Sequence, residues 1–449
     1  MGTVYDITEY GAIGDGKFNN AGAIQKAIDI CNENGGGEVR VPAGIYLSGS
    51  IRLKSNINLY LQQGAVLRCS LKPEDIHSFD SQAPKAVHPD GWDGGCFIGA
   101  WHEENITISG EGTIDGQGRE VMYDDGADGG FHEAPLMIKG FRPRMMLLED
   151  VKNLTVKNVT LLDAAFWTLH MAGCSQVRIN HIQILNNTRG ANNDGIDPDC
   201  CQDVVISNCI IKTGDDAIVI KSTKPMAKQY GNCENIVITG CLLKSQDSAL
   251  KVGTETHGTI RNVILSDCII EDCSRAVGIW VRDGGTVENI QVHHLTGAVR
   301  RYADAPQREF APRWWGKGEP IFISATYRTQ ENRFPGVIRN LKFDNINLTS
   351  ESGIFIAAEE NCPIENVSIN ELDLTMAKQG SQPGGLFDEQ PSVRHVYPHA
   401  IPAVYARYVN TLRLKDCRVR KVTPYMEHWS ELVETENCQD LTMEIKEVK

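Results

Sequence analysis

The segment Asp203-Val204-Val205-Ile206-Ser207-Asn208-Cys209-Ile210-Ile211 decides how this chain is read. A short apolar, alternating run gives way to a polar turn and then resumes. Two strands joined by a turn produce that pattern, because side chains of a strand alternate between its faces. The unit has earlier copies at Asn153-Leu154-Thr155-Val156 and Gln176-Val177-Arg178-Ile179. Later copies stand at Asn235-Ile236-Val237-Ile238, Asn262-Val263-Ile264-Leu265 and Asn289-Ile290-Gln291-Val292. It returns at Asn340-Leu341-Lys342-Phe343, Asn366-Val367-Ser368-Ile369, Thr411-Leu412-Arg413-Leu414 and Asp440-Leu441-Thr442-Met443. Central copies start roughly 23 to 32 residues apart, the period of a stacked repeat. With two or three Val- and Ile-rich strands per period and almost no helical periodicity, the expected fold is all-β. It is a single-stranded, right-handed parallel β-helix.

A solenoid grows longer without a thicker core, so 449 residues do not require several domains. One domain over 1–449 is expected: a cap and first rungs over 1–67, central rungs over 105–300, and C-terminal rungs over 337–449. In the cap, Ile24, Ile28 and Cys31 fall at helical spacing within 21–33, and Gly35-Gly36-Gly37 ends that helix. Laid across the first rung, it would hide edge amides that otherwise recruit other chains. Long polar insertions interrupt the period at about 70–100, 117–148, 300–336 and 376–402. They carry Trp92, Trp101, His132, Trp314, Trp315 and His395, and loops on a rigid scaffold often build the site. Turn asparagines Asn158, Asn180 and Asn208 are expected to stack as an amide ladder.

Net charge is -14, hydrophobic content 41% and charged content 23%, the composition of a soluble globular protein. No Lys/Arg run makes a nucleic-acid patch, and no segment reads as a membrane span. The 14 cysteines are unclustered and sit in apolar segments, which reads as free buried thiols in a reducing compartment. Nothing resembling a signal peptide opens the sequence, so a cytoplasmic location is expected, or a secreted one if a leader has been removed. No metal or cofactor is called for, and the pattern carries no signal for oligomeric state.

Flanking the deciding segment are two acidic stretches, Asn192-Asn193-Asp194-Gly195-Ile196-Asp197-Pro198-Asp199 and Thr213-Gly214-Asp215-Asp216-Ala217-Ile218-Val219-Ile220-Lys221. Clustered carboxylates raise one another's pKa, so a chain that gathers them at a strand edge is binding a cation or handling protons. Equivalent positions on adjoining rungs stack about 4.8 Å apart. Asp194 and Asp215 are one short period apart, with Asp216 beside the second. The trio supplies the groups for direct glycoside hydrolysis: a protonated carboxyl for the leaving oxygen and an ionised one for water, usually about 6.5–9.5 Å apart.

Taken with Tyr10-Gly11-Ala12-Ile13-Gly14-Asp15-Gly16 and Gly110-Glu111-Gly112-Thr113-Ile114-Asp115-Gly116, these motifs resemble glycoside hydrolase family 28, the polygalacturonase and rhamnogalacturonase group. The similarity runs in order along nearly the whole chain and implies a pectin-lyase-like solenoid. By resemblance, Asp215 is the general acid, and Asp194 with Asp216 holds and deprotonates the water. Two family motifs are not kept. Gly-His-Gly falls near Gln246-Asp247-Ser248, with Asp247 in place of the histidine and His257 ten residues later. Arg-Ile-Lys, which grips a uronate carboxylate, falls at Gly278-Ile279-Trp280, flanked by Arg275 and Arg282.

Further substrate-binding candidates are Asp247, Lys221, Lys251, Glu255, His257, Trp280 and Arg282. The lysines could meet a substrate carboxylate or hydroxyl, or be solvated. Trp280 is either a stacking face for a sugar or a core aromatic. Arg300, Arg301, Arg308, Arg313, Arg328 and Arg333 with Trp314-Trp315 form either a uronate clamp or a solvated loop. His170, in a strand pattern, reads as structural. The expected function is inverting, exo-acting hydrolysis of an α-linkage in pectin-type oligosaccharides. The alternatives are a uronate lyase, whose acidic cluster could hold Ca²⁺, and a non-catalytic glycan-binding solenoid.

Overall fold

The computed structural model describes residues 3–79, 81–83, 95–126, 133–302, 316–331 and 333–449. The expectations for Trp92, His132, Arg308, Arg313, Trp314 and Trp315 fall outside these residues. One 31-stranded sheet winds from Val4–Asp6 to Gln439–Glu447. Each strand pairs in parallel with its counterpart one turn away. The chain is a right-handed parallel β-helix. Among the described residues, antiparallel pairing is found in two small ribbons inside insertions, Met122–Tyr123 with Met137–Ile138 and Leu386–Asp388 with Val396–Pro398, and in an isolated bridge between His77 and Cys96.

Inward positions stack rung upon rung. Val177, Val204, Ile236, Val263 and Ile290 are successive register partners, each at most 1% exposed. Burying such a side chain contributes about 1.5–3 kcal/mol, repeated at every turn. The residue opening each unit has a left-handed backbone: φ is 58° at Asn153, 57° at Asp203, 61° at Asn235, 56° at Asn262 and 57° at Asn289. Asn and Asp tolerate that region, where β-branched residues do not. The recurring Asn or Asp in the sequence is therefore the mark of a bend.

The amide ladder forms along these opening residues and not at Asn158, Asn180 and Asn208. Asn262 Nδ2 donates to Asn235 Oδ1 at 3.0 Å, Asn289 to Asn262 at 3.2 Å, Asn340 to Asn289 at 3.2 Å and Asn366 to Asn340 at 2.9 Å. Asn158 and Asn208 occupy a different left-handed corner, where His181 and Gly240 take the intervening and following places. Without an amide on each rung no chain of bonds can form. Asn262→Ala should lose about 2–3 kcal/mol, combining backbone cost with a lost amide bond. Asn262→Gly, which relieves the backbone, should lose less in urea unfolding. Equal losses would mean that the bend places no demand on this residue.

The cap helix, Ala21–Glu33, buries Ile24, Ala27, Ile28 and Cys31 over the first rung. A second helix, Lys224–Tyr230, too short to show periodicity in the sequence, follows Lys221 after one intervening strand end. All cysteines are free and, apart from Cys438, buried. Among the described residues, no helix is long and apolar enough to cross a membrane.

The four insertions leave the coil at one turn, ahead of a single strand stack. That stack runs Cys96–Gly110, Arg144–Lys157, Leu169–Ala172, Ile196–Asp199, Ile218–Ser222, Ser248–Thr256, Arg275–Val281, Glu319–Ala325, Ile354–Ala358 and Val404–Arg407. The insertions hold one another. Glu133 pairs with Arg300 at 2.8 Å and accepts from Ser381 Oγ at 3.4 Å. Arg189 Nε donates to the Ala134 carbonyl at 2.7 Å.

Candidate active site

Each candidate carboxylate sits in the turn just before a strand of this stack. Asp194 precedes Ile196–Asp199, Asp215 and Asp216 precede Ile218–Ser222, and Asp247 precedes Ser248–Thr256. Backbone bonds from Gly195 N to Asp216 O and from Ala217 N to Ser248 O, both 2.9 Å, lock these turns one above another. Asn193 ties two of them together. Its Oδ1 accepts from the backbone N–H of Gly214 at 2.8 Å and Asp215 at 3.1 Å, and its Nδ2 donates to Asn187 O at 2.8 Å. A Cβ at position 214 would lie 2.3 Å from the Gly190 carbonyl, so the turn that presents Asp215 requires glycine.

The result is a tight cluster. One oxygen from each of Asp194, Asp215 and Asp216 lies within 4.8 Å of the others. Asp194 and Asp216 are buried, while Asp215 is partly exposed. Asp215 accepts from Asn192 N at 3.2 Å, Asn192 Nδ2 at 3.4 Å and Asp216 N at 2.9 Å. Arg142, in the 117–148 insertion, steadies Asn192 by donating to its Oδ1 at 2.9 Å.

Two lysines enter from the next turns. Lys221 Nζ lies 3.4 Å from Asp194, 3.4 Å from Asp197 and 4.0 Å from Glu255, and stands 4.2 Å above the Trp167 ring. Lys251 Nζ is 2.8 Å from Asp216 and 3.8 Å from Asp247, with Trp280 beneath it at 5.3 Å. The cluster's oxygens are close enough for a cation, but these ammonium groups already supply counter-charge beside Asp194 and Asp216.

Burial, then the charges of Asp194 and Asp247, pushes Asp215 up to about 7. Burial raises Asp216 to about 7 as well, against the pull of Lys251, and lifts Asp194 well above the ordinary carboxylate range. Burial alone would lower both lysines, but the surrounding carboxylates drive them upward. The cluster therefore holds protons that the unfolded chain releases. Its stabilising share is complete below the unfolded carboxyl pKa, near 4, and is lost as pH rises through about 7. Thermal unfolding followed from pH 4 to 8 should show that decline. Asp215→Asn should flatten it.

Of the residues singled out in the sequence, Asp194, Asp215, Asp216, Asp247, Lys221 and Lys251 come together, and Glu255 joins them at the rim through Lys221. His257 turns away to Asp283, at 3.9 Å. Trp280 is fully buried and its ring fills the space above Gly278, where a Cβ would meet it at 2.2 Å. It is a core aromatic under Lys251 and has no face for a sugar. Arg282 is also fully buried. It donates to the carbonyls of Ser324 at 2.8 Å, Glu389 at 3.1 Å and Pro391 at 3.0 Å, pinning the 376–402 insertion instead of meeting substrate. Arg300 and Arg328 are engaged by Glu133 and Asp283. His170 is buried beside Asp199, and burial lowers its pKa to about 4. Arg142 and the Trp167 platform were not legible, because both lie in stretches between repeat copies and carry no periodic signal.

The parallel β-helix thus gathers three aspartates from adjoining turns into one cluster. The family model for glycosyl hydrolases family 28 matches residues 31–301, and the chain belongs to that family. A probable polygalacturonase of Vitis vinifera is 33% identical over 225 residues, covering 48% of this chain and 44% of that protein. An exo-poly-alpha-D-galacturonosidase of Dickeya chrysanthemi is 31% identical over 254 residues, covering 48% and 41%. The chain thus spans less than half the length of these curated relatives. Among solved structures, the hyperthermoactive exopolygalacturonase of Thermotoga maritima superposes with a TM-score of 0.72 at 22% identity, over 95% of this chain and 93% of that one. The family 28 exopolygalacturonase of Yersinia enterocolitica gives 0.68 at 19% identity, over 100% and 79%. Both show the shared fold.

Proposed function

We propose that the chain is a glycoside hydrolase that removes an α-linked residue from the end of pectin-type oligosaccharides, derived from galacturonan or rhamnogalacturonan, with inversion. The observation that carries this reading is the convergence of Asp194, Asp215 and Asp216 within 4.8 Å. Asp215, partly exposed and without a lysine partner among the described residues, donates its proton to the glycosidic oxygen. Asp194 and Asp216, each beside an ammonium, hold a water and take its proton. The hydroxide adds to the anomeric carbon as the protonated leaving sugar departs, so atoms and charge balance.

Action at a chain end is supported by the insertions. Glu133, before the strand at Arg144, and Arg300, before the strand at Glu319, clasp each other across the intervening turns that carry the cluster. Those six steps span about 29 Å at the usual strand spacing. A loop tied at both ends along these turns would restrict passage of a long polymer. Release of a single sugar from defined pectic fragments tests the reading, with the first-formed anomer followed by NMR. The spacing of nearest oxygens is below the range of about 6.5–9.5 Å usual for inversion, so the anomer is decisive. An inverted product is expected, and a retained one would make Asp194 or Asp216 a nucleophile.

A further inference from the structure

Asp247 stands where family resemblance places a histidine, and it adds a negative charge beside an already acidic cluster. Four residues on, in the same strand, Lys251 reaches back between Asp216 at 2.8 Å and Asp247 at 3.8 Å. It is 5% exposed and rests on the fully buried Trp280 ring. The ammonium therefore cannot swing into water to escape its partners. On the far side of Asp247, Arg275 approaches Oδ1 at 3.8 Å. Lys221 serves the other flank, between Asp194, Asp197 and Glu255. Arg142 faces the cluster from the insertion through Asn192. Among the described residues, Asp215 has no such cation in contact. Its bonds come from amides.

We infer that Lys251 is a positioning residue that decides where the cluster keeps its proton, holding Asp216 ionised as a base and leaving the proton on Asp215. Asp247 is the other half of this device. Its charge keeps Lys251 anchored and at the same time opposes ionisation of Asp215. The inference rests on the hydrolase reading for its catalytic meaning, but the proton arrangement can be read without turnover.

The experiment compares wild type, Lys251→Met, Lys251→Arg, Asp247→Asn and the double variant Asp247→Asn/Lys251→Met. The first readout is the pH profile of kcat/KM on a defined pectic oligosaccharide. An opposite charge within hydrogen-bonding reach lowers a carboxyl pKa by about 1–3 units. In Lys251→Met the acidic limb, set by the base, should therefore move upward by about one to two pH units. The alkaline limb should move up less, because Asp215 is farther from the ammonium than Asp216. Lys251→Arg should restore the wild-type profile, and the double variant should lie between wild type and the single. Asp247→Asn should move both limbs the opposite way, so the inference stays testable if Lys251→Met does not fold. A profile in Lys251→Met that keeps its shape and falls uniformly in height would assign Lys251 a packing role and overturn it.

The second readout is carboxyl titration by ¹³C NMR of aspartate-labelled wild type and Asp247→Asn. Asp215 should ionise after Asp216, and Asp216 should titrate lower in Asp247→Asn than in wild type. Asp216 ionising after Asp215 in wild type would overturn the inference. If wild type cleaves no pectic fragment, the hydrolase reading fails alone, and this titration still decides the proton arrangement.

Discussion

Asp215→Asn is expected to lower kcat by about 10²–10⁴-fold, the usual worth of a positioned general acid, with little change in KM. The substitution keeps the shape of the side chain and removes only its ability to give up a proton. Folding should survive, because the native site already favours the neutral form of this carboxyl. The amide must reorient somewhat, since Asn192 and the Asp216 N–H all donate toward position 215. A leaving-group series separates this role from a general electrostatic one. An aryl glycoside whose phenolate departs without protonation should close most of the gap between variant and wild type. An unactivated sugar should show it in full. Loss of the same size on both substrates would mean that Asp215 acts on the water or the sugar ring, and wild-type rates on both would end the assignment.

Legibility in the sequence followed the physics of repetition. Each copy opens with an Asn or Asp because each corner needs a left-handed residue, so Asn153, Asp203, Asn235 and Asn262 announced both the period and the bends. Asp194, Asp215 and Asp216 were readable because they are anchored to those copies, and register then stacks them. Their lysines were visible as residues but not as partners. Nothing in the spacing says that Lys251 points back to Asp216 and Asp247, since that depends on Trp280 closing the other direction. Trp280 is buried against Phe322 beneath Lys251, and Arg282 by a segment remote in the sequence. Strand alternation gives the face a side chain takes, whereas an insertion folded over that face turns an outward position into an interior one. Arg282 is covered by the segment holding Glu389 and Pro391, more than a hundred residues later.

That covering produces the largest expected loss of stability, in Arg275→Met. Arg275 is fully buried, with Nε 3.3 Å from Glu319 Oε2, and its guanidinium lies 4.2 Å from the Phe322 ring centre and 5.0 Å from that of Trp280. Nη2 donates to the Asp388 carbonyl of the overlying insertion at 3.2 Å. Methionine keeps much of the volume, so the cost is electrostatic. Glu319, itself fully buried, loses its guanidinium partner, and breaking a buried pair from one side costs about 3–5 kcal/mol. Urea unfolding of Arg275→Met should show that loss, and adding Glu319→Gln should recover a clear part of it, because the orphaned charge goes with it. A loss below about 1 kcal/mol would mean that water or another cation reaches Glu319 in the folded chain. The effect should also reach the site. Arg275 lies 3.8 Å from Asp247 and packs over the ring beneath Lys251, so its removal breaks a column in which acid and base alternate through Asp216, Lys251, Asp247, Arg275 and Glu319. The Asp216–Lys251 contact should loosen with it, and the acidic limb of the pH profile should rise even in variants that remain folded.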